Sequence, residues 1–185
     1  MKKALIALTA VRSAIAVAVG ALFIWEYRSK AQLEAQVEDY LGECNVKSEN
    51  IEVHGRPFIL SAIEDKVDLT YVDLAPAPGT NKDQILIHRL SNGRADRLTR
   101  FITFDYPQGD VRPVTDADGA FTDKARLDGK EVTFTASMKG KTLSAFGNKR
   151  SVGEVKLTTK AELLNVSATD KGIVAELEYP GNGCS

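Results

Sequence analysis

His54 and His88 are the chain's only imidazoles. Neither has a second ligand at metal-binding spacing. No His-Glu-x-x-His, Gly-x-Ser-x-Gly or phosphate-cradling glycine loop is present. The carboxylates come nearer to chemistry. Asp65, Asp68 and Asp73 fall on or beside strand candidates, and two of them converging in a cleft could do general acid–base work in a hydrolase. Nothing in the sequence orients them, and exposed polar strand positions account for them more simply. "DADGAFTD" (116–123) offers oxygens from Asp116, Asp118 and Asp123, as a calcium loop would. The twelve-residue frame fails, however, and no glutamate closes it, so a solvated turn is the expectation. This inventory predicts a protein that is not an enzyme, with no catalytic residue, no metal and no cofactor.

Two cysteines remain, Cys44 and Cys184. They form neither a Cys-x-x-Cys redox pair nor a zinc knuckle. In an oxidising compartment they could close a bridge that ties the tail to the first helix, and the long loop would make its entropic gain large, about 4–5 kcal/mol. Two separate thiols are the alternative.

The elements that position these residues begin with targeting. Lys2 and Lys3 precede a run at 4–25 whose single charge is Arg12. Twenty-two helical residues span about 33 Å, enough for a hydrocarbon core of about 30 Å. Arg12 near mid-span costs about 2–3 kcal/mol. The other reading is a signal peptide, with n-region 1–12, h-region 13–25 and a cleavage point after Ser29-Lys30-Ala31. Either way the rest of the chain lies on the extracytoplasmic side, anchored to the cytoplasmic membrane or free in the periplasm. Residues 1–25 are thus an anchor or signal, and 26–185 form a single domain. Of 24 Lys/Arg and 25 Asp/Glu, five and one lie in residues 1–31; the remaining 19 and 24 leave residues 32–185 at −5. That balance argues against a nucleic-acid partner, which needs a basic footprint.

Residues 26–41 place Leu33, Val37, Tyr40 and Leu41 on one helical face, with Gly42 as a stop. Strands follow at 46–54, 67–74, 84–90, 97–106 and 131–137, with more within 154–179, about seven in all. A short helical turn is expected at 58–65, entered through Pro57, and a tight turn at Asn92-Gly93. Leu98, Arg100, Ile102, Phe104 and Tyr106 take one side of their strand; Ile173, Ala175, Leu177 and Tyr179 alternate likewise. One apolar face per strand suits antiparallel sheet. The fold class is therefore α+β, a curved antiparallel sheet covered by the early amphipathic helix.

Between the first two strands stands a corner, Gly55-Arg56-Pro57-Phe58, followed by Ile59 and Leu60. Gly55 permits unusual backbone angles, and Pro57 holds Arg56 extended. Phe58 is thereby aimed in a fixed direction, with Leu60 and Ile63 continuing the apolar patch. Arg56 is either solvated or available to a lipid phosphate.

The order "SKAQLEAQVEDYL" (29–41), strand, Gly-x-Pro-Phe corner and "LSAIEDKVDLTYVDL" (60–74) resembles the LmeA-type family of actinobacterial cell-envelope phospholipid-binding proteins. The likeness covers residues 1–75. Beyond, it is a general similarity of short strands such as "EVTFTAS" and "LLNVSATDKGIVAEL". Ile59 intervenes between Phe58 and Leu60 where the family reads Phe-Leu, and Glu64-Asp65-Lys66 stands where it often has glycine. The resemblance implies a tubular lipid-binding-like fold, a strongly curved sheet wrapped on a helix around an apolar cavity. It also implies non-catalytic binding, or transfer, of phospholipid or another acyl lipid in support of envelope glycolipid upkeep. The cavity-side expectations are Leu33, Val37, Leu41, Phe58, Leu60, Ile63, Ile102, Phe104, Val132 and Phe134. A scaffold for an envelope glycosyltransferase partner is the alternative; it would have a filled core and an exposed patch.

Overall fold

The computed structural model describes residues 2–44, 46–55, 57–107, 111–113 and 122–179, with side chains for all of these except 2–11, 111–113 and 122. Helix α1 (Lys2–Glu43) is continuous for 42 residues, about 63 Å. It runs through the boundary expected at 25/26 without a break. Its two halves differ. From Ile15 to Tyr27 large apolar side chains are exposed around the helix. From Ser29 a single stripe is buried, comprising Ser29, Leu33, Val37, Tyr40 and Leu41. This is the face read from the 3.6-residue spacing, lengthened by one turn. Among the described residues no helix is long and apolar enough to cross a membrane. The apolar run at 4–25 begins among residues whose side chains are not described.

After α1 come β1 (Ser48–His54), the short α2 (Phe58–Ile63), β2 (Lys66–Leu74), β3 (Thr80–Ser91) and β4 (Arg94–Phe104). The chain then leaves this sheet for β5 (Val111–Pro113), β6 (Thr122–Leu127), β7 (Lys130–Lys139), β8 (Thr142–Gly147) and β9 (Arg150–Lys156). It returns as β10 (Glu162–Thr169) and β11 (Gly172–Tyr179). The first sheet has the order β1-β2-β3-β4-β11-β10 and the second β5-β6-β7-β8-β9; every described pairing is antiparallel. Asn92 and Gly93 have φ of 51° and 68°, the two positive values that a tight hairpin turn requires.

The α+β class with one early helix and antiparallel strands holds. The cover does not follow the expectation. The helix packs on β1 and β2, while a second sheet covers the rest of the six-stranded sheet. Eleven strands are present among the described residues. β5, β6, β8 and part of β9 escape sequence reading because they are short, β6 being half charged and β8 and β9 carrying Gly and Ser.

Two buried clusters result. One joins Leu33, Val37, Tyr40 and Leu41 to Val53, Phe58, Val67, Val72, Ile85, Ile87 and Leu98 beneath α1. The other lies between the sheets and includes Ile102, Phe104, Phe134, Leu143, Val166, Ile173 and Leu177. Gly153 is what lets Phe104 fill this second cluster: a Cβ there would lie 2.6 Å from the Phe104 ring.

Candidate functional site

Each expected cavity residue has a definite place. Leu33, Val37, Leu41 and Phe58 are buried in the helix-covered cluster, and Ile102, Phe104, Val132 and Phe134 in the cluster between sheets. Leu60 and Ile63 join neither and are exposed. The ten residues therefore do not line one space. A cavity between α1 and the sheet is bordered by Leu41, Cys44, Val46, Ile85, Leu98, Arg100, Thr158, Thr159 and Tyr179, with a volume of about 20 Å³. That is room for about one water and not for an acyl chain. Larger hollows lie open at the surface: one between Lys30, Glu34, Glu38 and β1 is lined mainly by polar side chains, and one of about 560 Å³ has a mixed lining of Leu127, Val132 and Val152 beside Asn148, Arg150 and Ser151.

The cavity marks a seam. On β4 the inward residues run Leu98, Arg100, Ile102; on β3, Ile87, Ile85, Asp83; on β11, Tyr179, Leu177. On β4 Arg100 thus separates Leu98 of one cluster from Ile102 of the other, with Asp83 beyond Ile85 on β3 and Tyr179 at the end of β11 beside it. Arg100 donates from Nε to Asp83 Oδ1 at 2.8 Å, from Nη2 to Oδ2 at 2.6 Å and from Nη1 to the Tyr179 hydroxyl at 3.1 Å. The Asp83 side chain is 1% exposed and that of Arg100 14%. Burial works against the guanidinium's charge, but the hydrogen bond to Asp83, the Tyr179 phenol and the Asp83 charge outweigh it and raise its pKa. A two-pronged pair with a third hydrogen bond to the Tyr179 hydroxyl tolerates such burial; either partner alone would not. Sequence reading put Arg100 in an apolar row without giving it a role. A lone charge amid alternating apolar residues was the available signal, and only topology could supply its partner 17 positions away on the neighbouring strand.

The corner at 55–58 is tied to α1. Gly55 has φ 123°, and Pro57 is extended at φ −76°, ψ 136°. Arg56 lies outside the described residues. Pro57, at the N-cap of α2, makes no side-chain cap. The carboxylate of Glu26 does so instead, accepting from the backbone N–H of Phe58 at 2.8 Å and of Ile59 at 3.1 Å. At the other end the Gln36 side-chain amide donates to Asp65. Neither Glu26 nor Gln36 stood out in the sequence, since each is an ordinary polar helix residue until the corner is folded against it.

The remaining candidates do not converge. Asp65 meets Gln36, Asp68 pairs with Lys66 at 2.9 Å, and Asp73 accepts from Gln84 at 2.6 Å. Asp116 and Asp118 lie outside the described residues; Asp123 is buried and accepts from the backbone N–H of Lys124 and of Ala168, each at 2.7 Å. His54 rests edge-on against Tyr71, with ring centres 5.1 Å apart. His88 sits 3.3 Å from Arg97, and its pKa is lowered by burial and by that arginine, partly offset by Glu178. Among the described residues no group of His, Cys, Asp or Glu could hold a metal. Cys44 is disulfide-bonded. Cys184, the chain's other cysteine, lies outside the described residues.

No family model, curated protein or solved structure matches this chain.

Proposed function

We propose that the chain is a non-catalytic accessory domain of the cell envelope, tethered by α1 to the outer face of the cytoplasmic membrane. Its lipid partner is bilayer phospholipid met at the surface, and an envelope enzyme is the protein partner such a tether would serve. One observation carries this reading. The exposed apolar half of α1 continues, without a break, into the stripe that builds the domain's own core. Cutting after Ala31 would remove Glu26, which caps α2, and Ser29, which is buried. A retained anchor is therefore favoured over a cleaved signal. The disulfide at Cys44 favours an oxidising, extracytoplasmic compartment. The lysines ahead of the apolar run favour the same orientation.

The carrier reading, with a tubular lipid-binding-like fold, is supported by the order helix, strand, Gly-x-Pro-Phe corner, short helix, strand. An acyl chain enclosed between helix and sheet would require the seam at Arg100 to open, since about 20 Å³ takes none; otherwise it would have to lie in the open hollow at Leu127, Val132 and Val152. Two measurements separate the readings. Alkaline extraction of membranes and N-terminal sequencing of the mature chain should find it membrane-retained with Glu26 present. A chain released at high pH and beginning after Ala31 would refute the tether. Transfer of labelled phospholipid between vesicle populations should not exceed the protein-free rate; catalysed transfer would restore the carrier.

A further inference from the structure

We infer that α2 is a foot at the membrane interface, with Leu60 and Ile63 resting in the headgroup layer of a phospholipid bilayer beside the point where α1 leaves the hydrocarbon. This rests on the tethered reading above. The apolar run ends at Trp25, after a length of about 33 Å that matches the hydrocarbon core. Trp25 and Tyr27 are 55% and 76% exposed and point to nearly opposite sides of α1. Amphipathic rings so placed favour the headgroup level.

Glu26 stands between them on the opposite account: it lies seven and eleven residues before Leu33 and Val37, hence on the domain-facing stripe. Its carboxylate fixes the first residues of α2 at its own level, and Gln36 holds Asp65 further up. α2 therefore climbs beside α1, starting at the hydrocarbon boundary. Leu60 and Ile63 lie two and five residues beyond Phe58, about 3 and about 7.5 Å higher. One headgroup layer is about 5–7 Å deep. Both side chains fall within it or at its edge. They share one face at i, i+3 spacing, and Phe58 and Ala62 turn the other way into the helix-covered cluster. At 55% and 69% exposed they are large, uncovered and only two. Two side chains cannot supply the roughly 800 Å² per partner of a stable protein interface. For a helix already anchored in the bilayer, two suffice to fix its tilt.

The test uses the full chain reconstituted in vesicles of phosphatidylcholine and phosphatidylglycerol with acyl chains brominated near the glycerol. Trp25 is the only tryptophan, so its quenching reports insertion of α1. In a Trp25→Phe background, Leu60→Trp and Ile63→Trp report the foot, and Lys139→Trp in β7 gives the comparison. The expected result is a blue shift at positions 60 and 63 with loss of roughly half the intensity or more, against little change at 139. Quenching of Trp25 with positions 60 and 63 no different from 139 would overturn the foot and leave the tether. An unquenched Trp25 would overturn both. The unsubstituted chain gives an independent answer. A photoactivatable phospholipid with its reactive group near the headgroup should label the peptide holding Leu60 and Ile63, and failure to label it would also overturn the foot.

Discussion

The two halves of one sheet face are covered in different ways. Beneath α1, Ile85, Ile87 and Leu98 meet a single stripe of helix residues that continues from an exposed apolar segment. Beyond Arg100, Ile102, Phe104, Ile173 and Leu177 meet a second sheet. The first cover is a lone helix whose flank is tied to α2 by Glu26 and to Asp65 by Gln36. The second is a sheet hydrogen-bonded along every strand. The comparison teaches where the molecule could give way. A carrier that enclosed its lipid between helix and sheet would have to separate the covers, and where they meet stands a buried ion pair beside a cavity of only about 20 Å³.

The disulfide offers the largest expected effect on this contrast. With Cys184 as partner, 140 positions away, its loop closure is worth about 4–5 kcal/mol. Cys44→Ser should lower the denaturation midpoint by that order and speed hydrogen exchange beneath α1 before it does so between the sheets. Equal acceleration in both clusters would show that the covers open together. At the seam, Asp83→Ala strands a buried guanidinium and should cost about 3–5 kcal/mol. Asp83→Ala combined with Arg100→Met should cost less than the two single changes together, as calorimetry would show. Additive losses would mean that the two residues stabilise separately.

Within the sheet-covered half, Gly153→Ala drives a methyl into the Phe104 ring and should cost about 1–3 kcal/mol, with hydrogen exchange beneath α1 unchanged. At the helix-covered end, Glu26→Gln weakens the cap of α2 and should cost about 1 kcal/mol, loosening α2 alone in hydrogen exchange. The smallest effect is alkaline. Tyr106 packs on Phe134 and donates to the Thr169 carbonyl at 2.6 Å; burial, with Asp123 and Asp170 adding, pushes its pKa up to about 12. The folded pKa lies above the unfolded value of 10. Its contribution is therefore whole below pH 10 and fades as pH rises toward 12. In a Tyr106→Phe chain that loss between pH 10 and 12 should flatten.

Sequence reading found what local periodicity encodes. The stripe Leu33, Val37, Tyr40, Leu41, the alternation of β4 and β11, and the Asn92-Gly93 turn all stand where spacing put them. It failed where the answer is a meeting of distant segments. Ile102 and Val37 are equally apolar in sequence, and only topology assigns them to different clusters. Leu60 and Phe58 look alike in one corner, yet one is exposed and the other buried, because Glu26 sets the angle at which α2 lies on α1. Of the second sheet only β7 was legible, because its other strands have three to seven residues, too few to show a period.

The most direct test of the central claim is native mass spectrometry of the full chain released gently from its own membrane. The account predicts a chain that retains Glu26 and the residues before it and holds no phospholipid in one-to-one stoichiometry once bulk lipid is stripped. A chain that begins after Ala31 and keeps one phospholipid per molecule would contradict it.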